Sequence, residues 1–175
     1  MIYKGESHIK DKLCDYLIDL YDNNPQDHER ANHGGQFGKL WLHNYPKIHA
    51  ELEQATIRVI KDYIRSIEIG QFLPPLECME MFCIKKYETG GDDYFDEHID
   101  VVNYDTATRY LAIQSYLNDV EEGGETIFQY HNHRFKPTRG QAIAFPPIWT
   151  HPHLAEPPVS NPKYILTTYM SYKDD

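Results

Sequence analysis

The sequence predicts a mainly β protein, a jelly roll (double-stranded β-helix) carried on supporting N-terminal helices. Two observations lead there. From Glu77 onward, short apolar runs recur between turn residues, which is the punctuation of an antiparallel sandwich or barrel. Before residue 70, apolar residues fall at helical spacing instead. A length of 175 residues and a mass of 20.6 kDa suit a single domain, with 1–70 as helical support and 76–173 as the jelly-roll core.

Taken in chain order, Ile9, Leu13, Tyr16, Leu17 and Leu20 form the stripe of a first helix. Ser7 offers it a cap without the reciprocal carboxylate, because Lys10 stands three residues on. Asn23 to Tyr45 holds Asn-Asn-Pro, His33-Gly-Gly and Gly38, too many breakers for a long element, and reads as a surface loop or a lid. A second helix starts near Pro46, a favourable first-turn residue, and carries Ile48, Leu52, Val59, Ile60, Tyr63, Ile64 and Ile67. Both stripes should buttress a sheet. Glu77 to Tyr87 is the first predicted strand, and Tyr87-Glu-Thr-Gly-Gly-Asp-Asp turns it into a second over Phe95 to Val102. Arg109 to Leu117, the turn and strand of Gly123 to Phe128, Gly140 to Phe145 and Lys163 to Tyr172 complete the series.

Side chains alternate faces along a strand, so a strand through Phe95 to Val102 presents His98 and Asp100 side by side. A second histidine brought over them by the fold completes two imidazoles and one carboxylate, a set that suits non-haem Fe(II) and leaves coordination positions open. His151 and His153 have the same parity, so alternation leaves both open as that histidine. His131-Asn-His133 falls in the turn before Phe135 and reads as solvent-exposed. Lys163 shares its face of the last strand with Ile165, Thr167 and Tyr169, which would put its ammonium at the inner end of an apolar pocket. The ordinary fate of a strand-end lysine is to reach for water.

Several pieces occur in a set order: Tyr87, Gly91, Phe95 and His98-x-Asp100; Tyr116-Leu-Asn-Asp-Val-Glu-Glu-Gly-Gly-Glu-Thr126-x-Phe128; Pro137-x-x-Gly140-x-Ala142-x-x-Phe145; and His153 with Lys163-Tyr164. Through them Tyr87 to Tyr172, about half the chain, resembles the catalytic core of 2-oxoglutarate/Fe(II)-dependent dioxygenases of the prolyl 4-hydroxylase type. The resemblance implies one dioxygenase domain over 1–175, with His98, Asp100 and His153 as metal ligands and catalytic centre. The ten-residue step from His153 to Lys163 selects His153 over His151, which then belongs at the pocket mouth or behind the ligands. Lys163 would hold the far carboxylate of 2-oxoglutarate, with Tyr87 and Thr126 as accompanying hydroxyl donors. Fe(II), 2-oxoglutarate and dioxygen are the implied cofactor and co-substrates, with ascorbate as an optional addition. Related halogenases lack the carboxylate that Asp100 supplies, so hydroxylation is the implied outcome.

The closing segment departs from the family pattern. The usual His-x-Gly-x-Pro-Val-x-x-Gly-x-Lys is here His153-Leu-Ala155-Glu-Pro157-Pro158-Val-Ser-Asn161-Pro-Lys163. Asn161 tolerates the left-handed conformation that a glycine would adopt. Ala155 does so less readily, so the loop after His153 is expected to have its own shape.

Net charge is −10, from 17 Lys and Arg against 27 Asp and Glu, which argues against sequence-independent nucleic-acid binding. Cys14, Cys78 and Cys83 are an odd, sparse set, no glycosylation sequon occurs, and the first residues lack an apolar signal core. A reducing, cytoplasmic setting without membrane attachment is the expectation. The expected function is a hydroxylase of prolyl residues in a peptide or protein. The alternatives are a hydroxylase of another side chain or a small molecule and, in a different class, a catalytically idle cupin-like metal-binding module. Lys163 separates these classes, since a mere metal binder needs no carboxylate partner there. Tyr94, Tyr104, Arg109 and Trp149 flank the ligand segments and are candidates for the pocket rim.

Overall fold

Alternation along one long strand, Lys163–Ser171, divides the molecule. Ile165 and Tyr169 point into an aromatic interior with Phe37, Tyr87, Tyr116, Phe128 and Phe145, whereas Tyr164, Leu166 and Met170 pack against helices on the other side. Buried on both faces, this strand carries Tyr164, Ile165 and Leu166 in succession, with Lys163, Thr167, Thr168 and Ser171 as its buried polar members. The computed structural model describes residues 1–31 and 34–173. In chain order they form β1 (Tyr3–Glu6), α1 (Asp11–Asp22), β2 (Glu29–Ala31), β3 (Gly35–Trp41), α2 (His49–Ser66), β4 (Cys78–Met79), β5 (Cys83–Tyr87), β6 (Tyr94–His98), β7 (Arg109–Tyr116), β8 (Thr126–Phe128), β9 (His133–Phe135), β10 (Gln141–Phe145), β11 (His153–Ala155) and β12 (Lys163–Ser171).

Every strand pairing is antiparallel, in the order β1-β10-β7-β12-β5-β3-β6-β11-β8-β9, with β2 on β3 and β4 on β12. The sheet curls at β3, whose Gly38–Trp41 pairs with β5 while Gly35 and Gln36 pair with β6. That bend places the minor sheet over the major one, the expected jelly roll. The two helical stripes lie on the outer face of the major sheet. Leu13 and Leu17 of α1 pack with Leu40, Ile84 and Leu166, and Val59, Ile60 and Tyr63 of α2 pack with Leu111, Ile113 and Ala144.

Several expectations are corrected. Residues 23–45 are neither a plain loop nor a lid, because Gly35–Trp41 is a central strand. Its glycines are there for close approach. A Cβ at Gly35 would sit 2.7 Å from the Tyr94 carbonyl oxygen and from the Phe95 ring, and one at Gly38 would strike the Tyr21 hydroxyl. Asn32 and His33, where the His33-Gly-Gly breaker begins, lie outside the described residues. Ser7 does not cap α1: Lys10 occupies that position, and the Ser7 hydroxyl instead accepts from the Ile9 amide at 3.2 Å. The strand foreseen over Glu77 to Tyr87 is split into β4 and β5.

The strand foreseen through Val102 ends at His98, since the amides of Asp100 and Val101 both donate to the Pro147 carbonyl at 3.1 Å. His133 opens β9 rather than lying in a turn, and half-buried His131 bonds the Thr150 carbonyl at 2.8 Å. Asn161 is not left-handed; it fastens its turn through its side-chain amide, which donates to the Asp119 carbonyl at 2.8 Å. Ala155 is part of β11, paired with Phe95 and Thr126, so the positive φ that would have strained it does not arise.

Candidate metal and co-substrate site

Pairing of β11 with β6 sets His153 directly opposite His98, their ring centroids 4.3 Å apart. Asp100 follows just beyond the end of β6. The side-by-side presentation foreseen from strand alternation is therefore produced by a bend held on the Pro147 carbonyl. Together the three offer ligand atoms within 4.8 Å of one another. His98 Nε2 lies 3.9 Å from Asp100 Oδ1, and His153 Nε2 lies 3.8 Å from Asp100 Oδ2.

The other ring nitrogens are committed. His98 Nδ1 donates to the Asp96 carbonyl at 2.7 Å and His153 Nδ1 to the His151 carbonyl at 3.1 Å. These bonds fix the tautomer that leaves each Nε2 lone pair facing the site, the usual arrangement around a metal-binding histidine. His98 is further clamped by stacking on Phe95 at 3.5 Å, and His153 lies between Phe128 and Phe145. Burial, with the neighbouring His153 adding to it, pushes the His98 imidazole down to about 4, so the ring is neutral at ordinary pH. Asp100 Oδ1 accepts from the Tyr169 hydroxyl at 2.8 Å. Its Oδ2 is buried without a partner among the described residues. An orphaned carboxylate oxygen facing two imidazole lone pairs is costly unless a cation joins them. A donor set of two nitrogens and one oxygen fits Fe(II).

His151 is not part of this set. Its ring nitrogens face the Thr150 hydroxyl at 2.8 Å and the Met1 amine at 3.1 Å, and its ring stacks on His131. It acts through its backbone carbonyl, behind His153.

At the three residues a small cavity of about 30 Å³, lined also by Tyr87, Gln114 and Thr126, adjoins a larger cleft of about 420 Å³ that is lined by His98 and Asp100 as well. The Thr126 hydroxyl accepts from Tyr116 and Gln114, both at 3.0 Å. Lys163 is wholly buried opposite Tyr87, with its ammonium 4.1 Å from the Tyr87 ring centre and donating to the Gly124 carbonyl at 2.9 Å. It stands behind Tyr87 rather than on the cavity wall. Burial pushes this lysine down to about 7, with Glu125 opposing.

Among the rim candidates, Arg109 does line the cleft, bound through two nitrogens to Glu80 and lying 4.0 Å over Tyr169. Tyr94, Tyr104 and Trp149 do not line it, and Tyr104 and Trp149 are largely exposed. Sequence reasoning passed over Lys85, which lines both the cavity and the cleft. Its place two residues before Tyr87 was the available signal, because the two must share a face.

Comparison with known proteins agrees with this geometry. The mouse (Mus musculus) transmembrane prolyl 4-hydroxylase is 27% identical in an alignment 113 residues long that covers 54% of this chain and 21% of that protein. The chain thus spans about a fifth of that relative. A Pseudomonas putida prolyl-4-hydroxylase superposes with a TM-score of 0.75 at 18% identity, covering 99% of this chain and 93% of the other. The viral collagen prolyl hydroxylase of Paramecium bursaria Chlorella virus-1 gives 0.72 at 22% identity, covering 96% and 94%. A Trichoplax adhaerens prolyl hydroxylase, solved with a peptide fragment of the hypoxia inducible factor oxygen degradation domain, gives 0.72 at 14% identity, covering 97% and 83%. Among the described residues no helix is long and apolar enough to cross a membrane. The family model of the 2OG-Fe(II) oxygenase superfamily matches residues 82–171, from just before β5 to the end of β12. By that match and by the site it encloses, the chain belongs to the 2OG-Fe(II) oxygenase superfamily, whose members use Fe(II), 2-oxoglutarate and dioxygen.

Proposed function

We propose that the chain is a 2-oxoglutarate- and Fe(II)-dependent hydroxylase acting on prolyl residues of a peptide or protein. The observation that carries the metal chemistry is the unpartnered Asp100 Oδ2 between two imidazoles whose other nitrogens are already committed. His98, Asp100 and His153 would hold the iron. When bound, Fe(II) supplies the activation of dioxygen that couples decarboxylation of 2-oxoglutarate to oxygen insertion into a C–H bond. The carbonyls of Asp96 and His151 keep the two imidazoles in the ligating tautomer, and Tyr169 holds the second carboxylate oxygen in place.

Lys163 would bind the far carboxylate of 2-oxoglutarate, with the hydroxyls of Tyr87 and Thr126 beside it. Its support is that no carboxylate among the described residues engages it, since a buried ammonium held by a carbonyl and an aromatic face stands to gain from an anion. The co-substrate must pass Tyr87 to reach it. The adjoining wide cleft leaves room for a peptide segment. A prolyl target is supported by the mouse, bacterial, viral and Trichoplax relatives. A cytoplasmic setting and one catalytic unit over 1–175 belong to the same reading; the setting is supported by three free thiols.

The test is turnover of 2-oxoglutarate, read as succinate, with a panel of proline-containing peptides. The expected result is stimulation above the rate without peptide and a gain of about 16 mass units in the peptide, the mass of one oxygen atom. A gain on small metabolites and on no peptide overturns the prolyl assignment. Absence of any succinate, with metal bound at His98, Asp100 and His153, overturns the hydroxylase assignment.

A further inference from the structure

Among the described residues three lysine and arginine side chains line the open cleft, and two of them are neutralised. Lys39 meets Glu29 at 3.4 Å, and Arg109 is bound through two nitrogens by Glu80. Lys85 is the exception: among the described residues no ion pair or hydrogen bond engages its ammonium. Its recorded neighbour is the face of Phe37, 5.4 Å from the ring centre. The side chain leaves β5 on the interior face, opposite Ile165 of β12, so a detour to outer solvent is closed to it. The carboxylate in the same space, Asp100, is turned toward the two histidines and Tyr169. Lys85 is half-buried, and a partly desolvated ammonium without a counter-charge at the wall of a cleft favours an anion that arrives there. Lys85 lines both the cavity and the cleft, where they meet beside the proposed iron ligands. The cleft side is the side that stays open for a substrate.

We propose that Lys85 is a specificity-determining residue that receives a carboxylate of the substrate, so that favoured substrates carry an acidic group close to the carbon that is hydroxylated. This rests on the hydroxylase reading above. Two sources share that chemistry: an Asp or Glu side chain flanking the target, or the terminal carboxylate of a chain that ends at it. Remaining cleft residues such as Trp41, Met81 and Phe95 would cover apolar parts of the same segment.

The experiment uses hexapeptides with one prolyl residue flanked in turn by Glu, Gln or Lys, each with an amidated end, together with a free-acid series ending in proline. Rates are read as peptide mass gain. Affinities are read separately by fluorescence anisotropy of labelled peptide on the Mn(II)-loaded protein with 2-oxoglutarate and without oxygen. The expected result is at least a tenfold preference for Glu over Gln at one flanking position, or for the free acid over the amide, and the arm that responds identifies the source. Lys85→Met, which suits the apolar walls, should reduce that preference to about twofold or less, and Lys85→Arg should retain most of it. Equal handling of anionic and neutral peptides by the wild type overturns the proposal, as does a preference that survives Lys85→Met. A raised KM for 2-oxoglutarate in Lys85→Met with the Glu-over-Gln ratio intact also overturns it, and reassigns the lysine to the co-substrate. If peptides bind with the expected preference but none gains mass, the prolyl reading fails while Lys85 keeps its role.

Discussion

Lys163 and Lys85, two register positions apart on paired β12 and β5, present the same physical problem: an ammonium that no carboxylate among the described residues engages. Both were accessible from strand parity, yet only Lys163 was singled out, because its ten-residue distance from His153 matched a family pattern while Lys85 had only its alternation with Tyr87 to mark it. The sequence also led to His98, Asp100 and His153, although the reason given for Asp100 was incomplete. Strand alternation foresaw the pairing, whereas a bend held on the Pro147 carbonyl delivers it, and no local signal encodes that tertiary contact. Lys163 gives a prediction with a defined sign. Burial has lowered it to about 7, so as pH rises above 7 the free protein holds a neutral amine, and binding an anion must first restore the proton. Affinity for 2-oxoglutarate is therefore expected to be level below pH 7 and to fall above it, by up to about tenfold per pH unit. Lys163→Ala should remove that slope and raise the KM for 2-oxoglutarate by roughly two orders of magnitude or more, since losing one partner of a desolvated pair costs about 3–5 kcal/mol. Calorimetric titration of the Mn(II)-loaded protein from pH 6 to 9 checks both. An unchanged slope in the variant would remove Lys163 from co-substrate binding.

At the scale of elements, the long strands and both helices were legible because their patterns are strong. β12 sends apolar residues to both faces, and the stripes of α1 and α2 meet the outer face of the sheet as their spacing requires. β3 was hidden for the opposite reason. Gly35 and Gly38 look like breakers in the sequence, but in the structure they let a bent strand pass close to the Tyr94 carbonyl and the Tyr21 hydroxyl. β9 and β11 span three residues each, too few for a period to show. β3 also bears on the site, because Gly35 pairs with Phe95, whose ring stacks on His98. Gly35→Ala puts a methyl group against backbone as well as a ring, and backbone cannot swing aside. A loss of about 1–3 kcal/mol is expected, as for other overpacked sites. The accompanying shift of Phe95 should weaken Mn(II) binding while leaving α1 and α2 in place. Urea unfolding followed by tryptophan fluorescence, with metal titration on the folded variant, measures the two effects. Full stability with wild-type metal affinity would mean that β3 does not support His98.

Over the whole molecule, charge is distributed against its own average. The net charge is −10, yet the open cleft is lined by Lys39, Lys85 and Arg109, and Asp100 beside them faces the proposed metal. The sequence disclosed the average and not the arrangement, since three cations from β3, β5 and β7 become neighbours only when the sheet curls. Glu29 and Glu80 already answer two of them, so the field offered to a substrate comes chiefly from Lys85. Exposed charges are screened within a Debye length of about 8 Å at physiological ionic strength, whereas buried pairs are screened much less. Salt should therefore separate the two anion sites. Raising KCl from 0.02 to 0.3 M is expected to increase the KM of a Glu-flanked peptide several-fold, because that peptide must be attracted from solution into an open cleft. The KM of its Gln-flanked counterpart should barely move. The KM for 2-oxoglutarate should change less than that of the acidic peptide, because its proposed partner, Lys163, has no exposed surface. Steady-state assays at fixed pH in the two salts give all three values. An equal salt response for the Glu and Gln peptides would place the acidic group away from Lys85, and would leave the cleft selecting its substrate by shape alone.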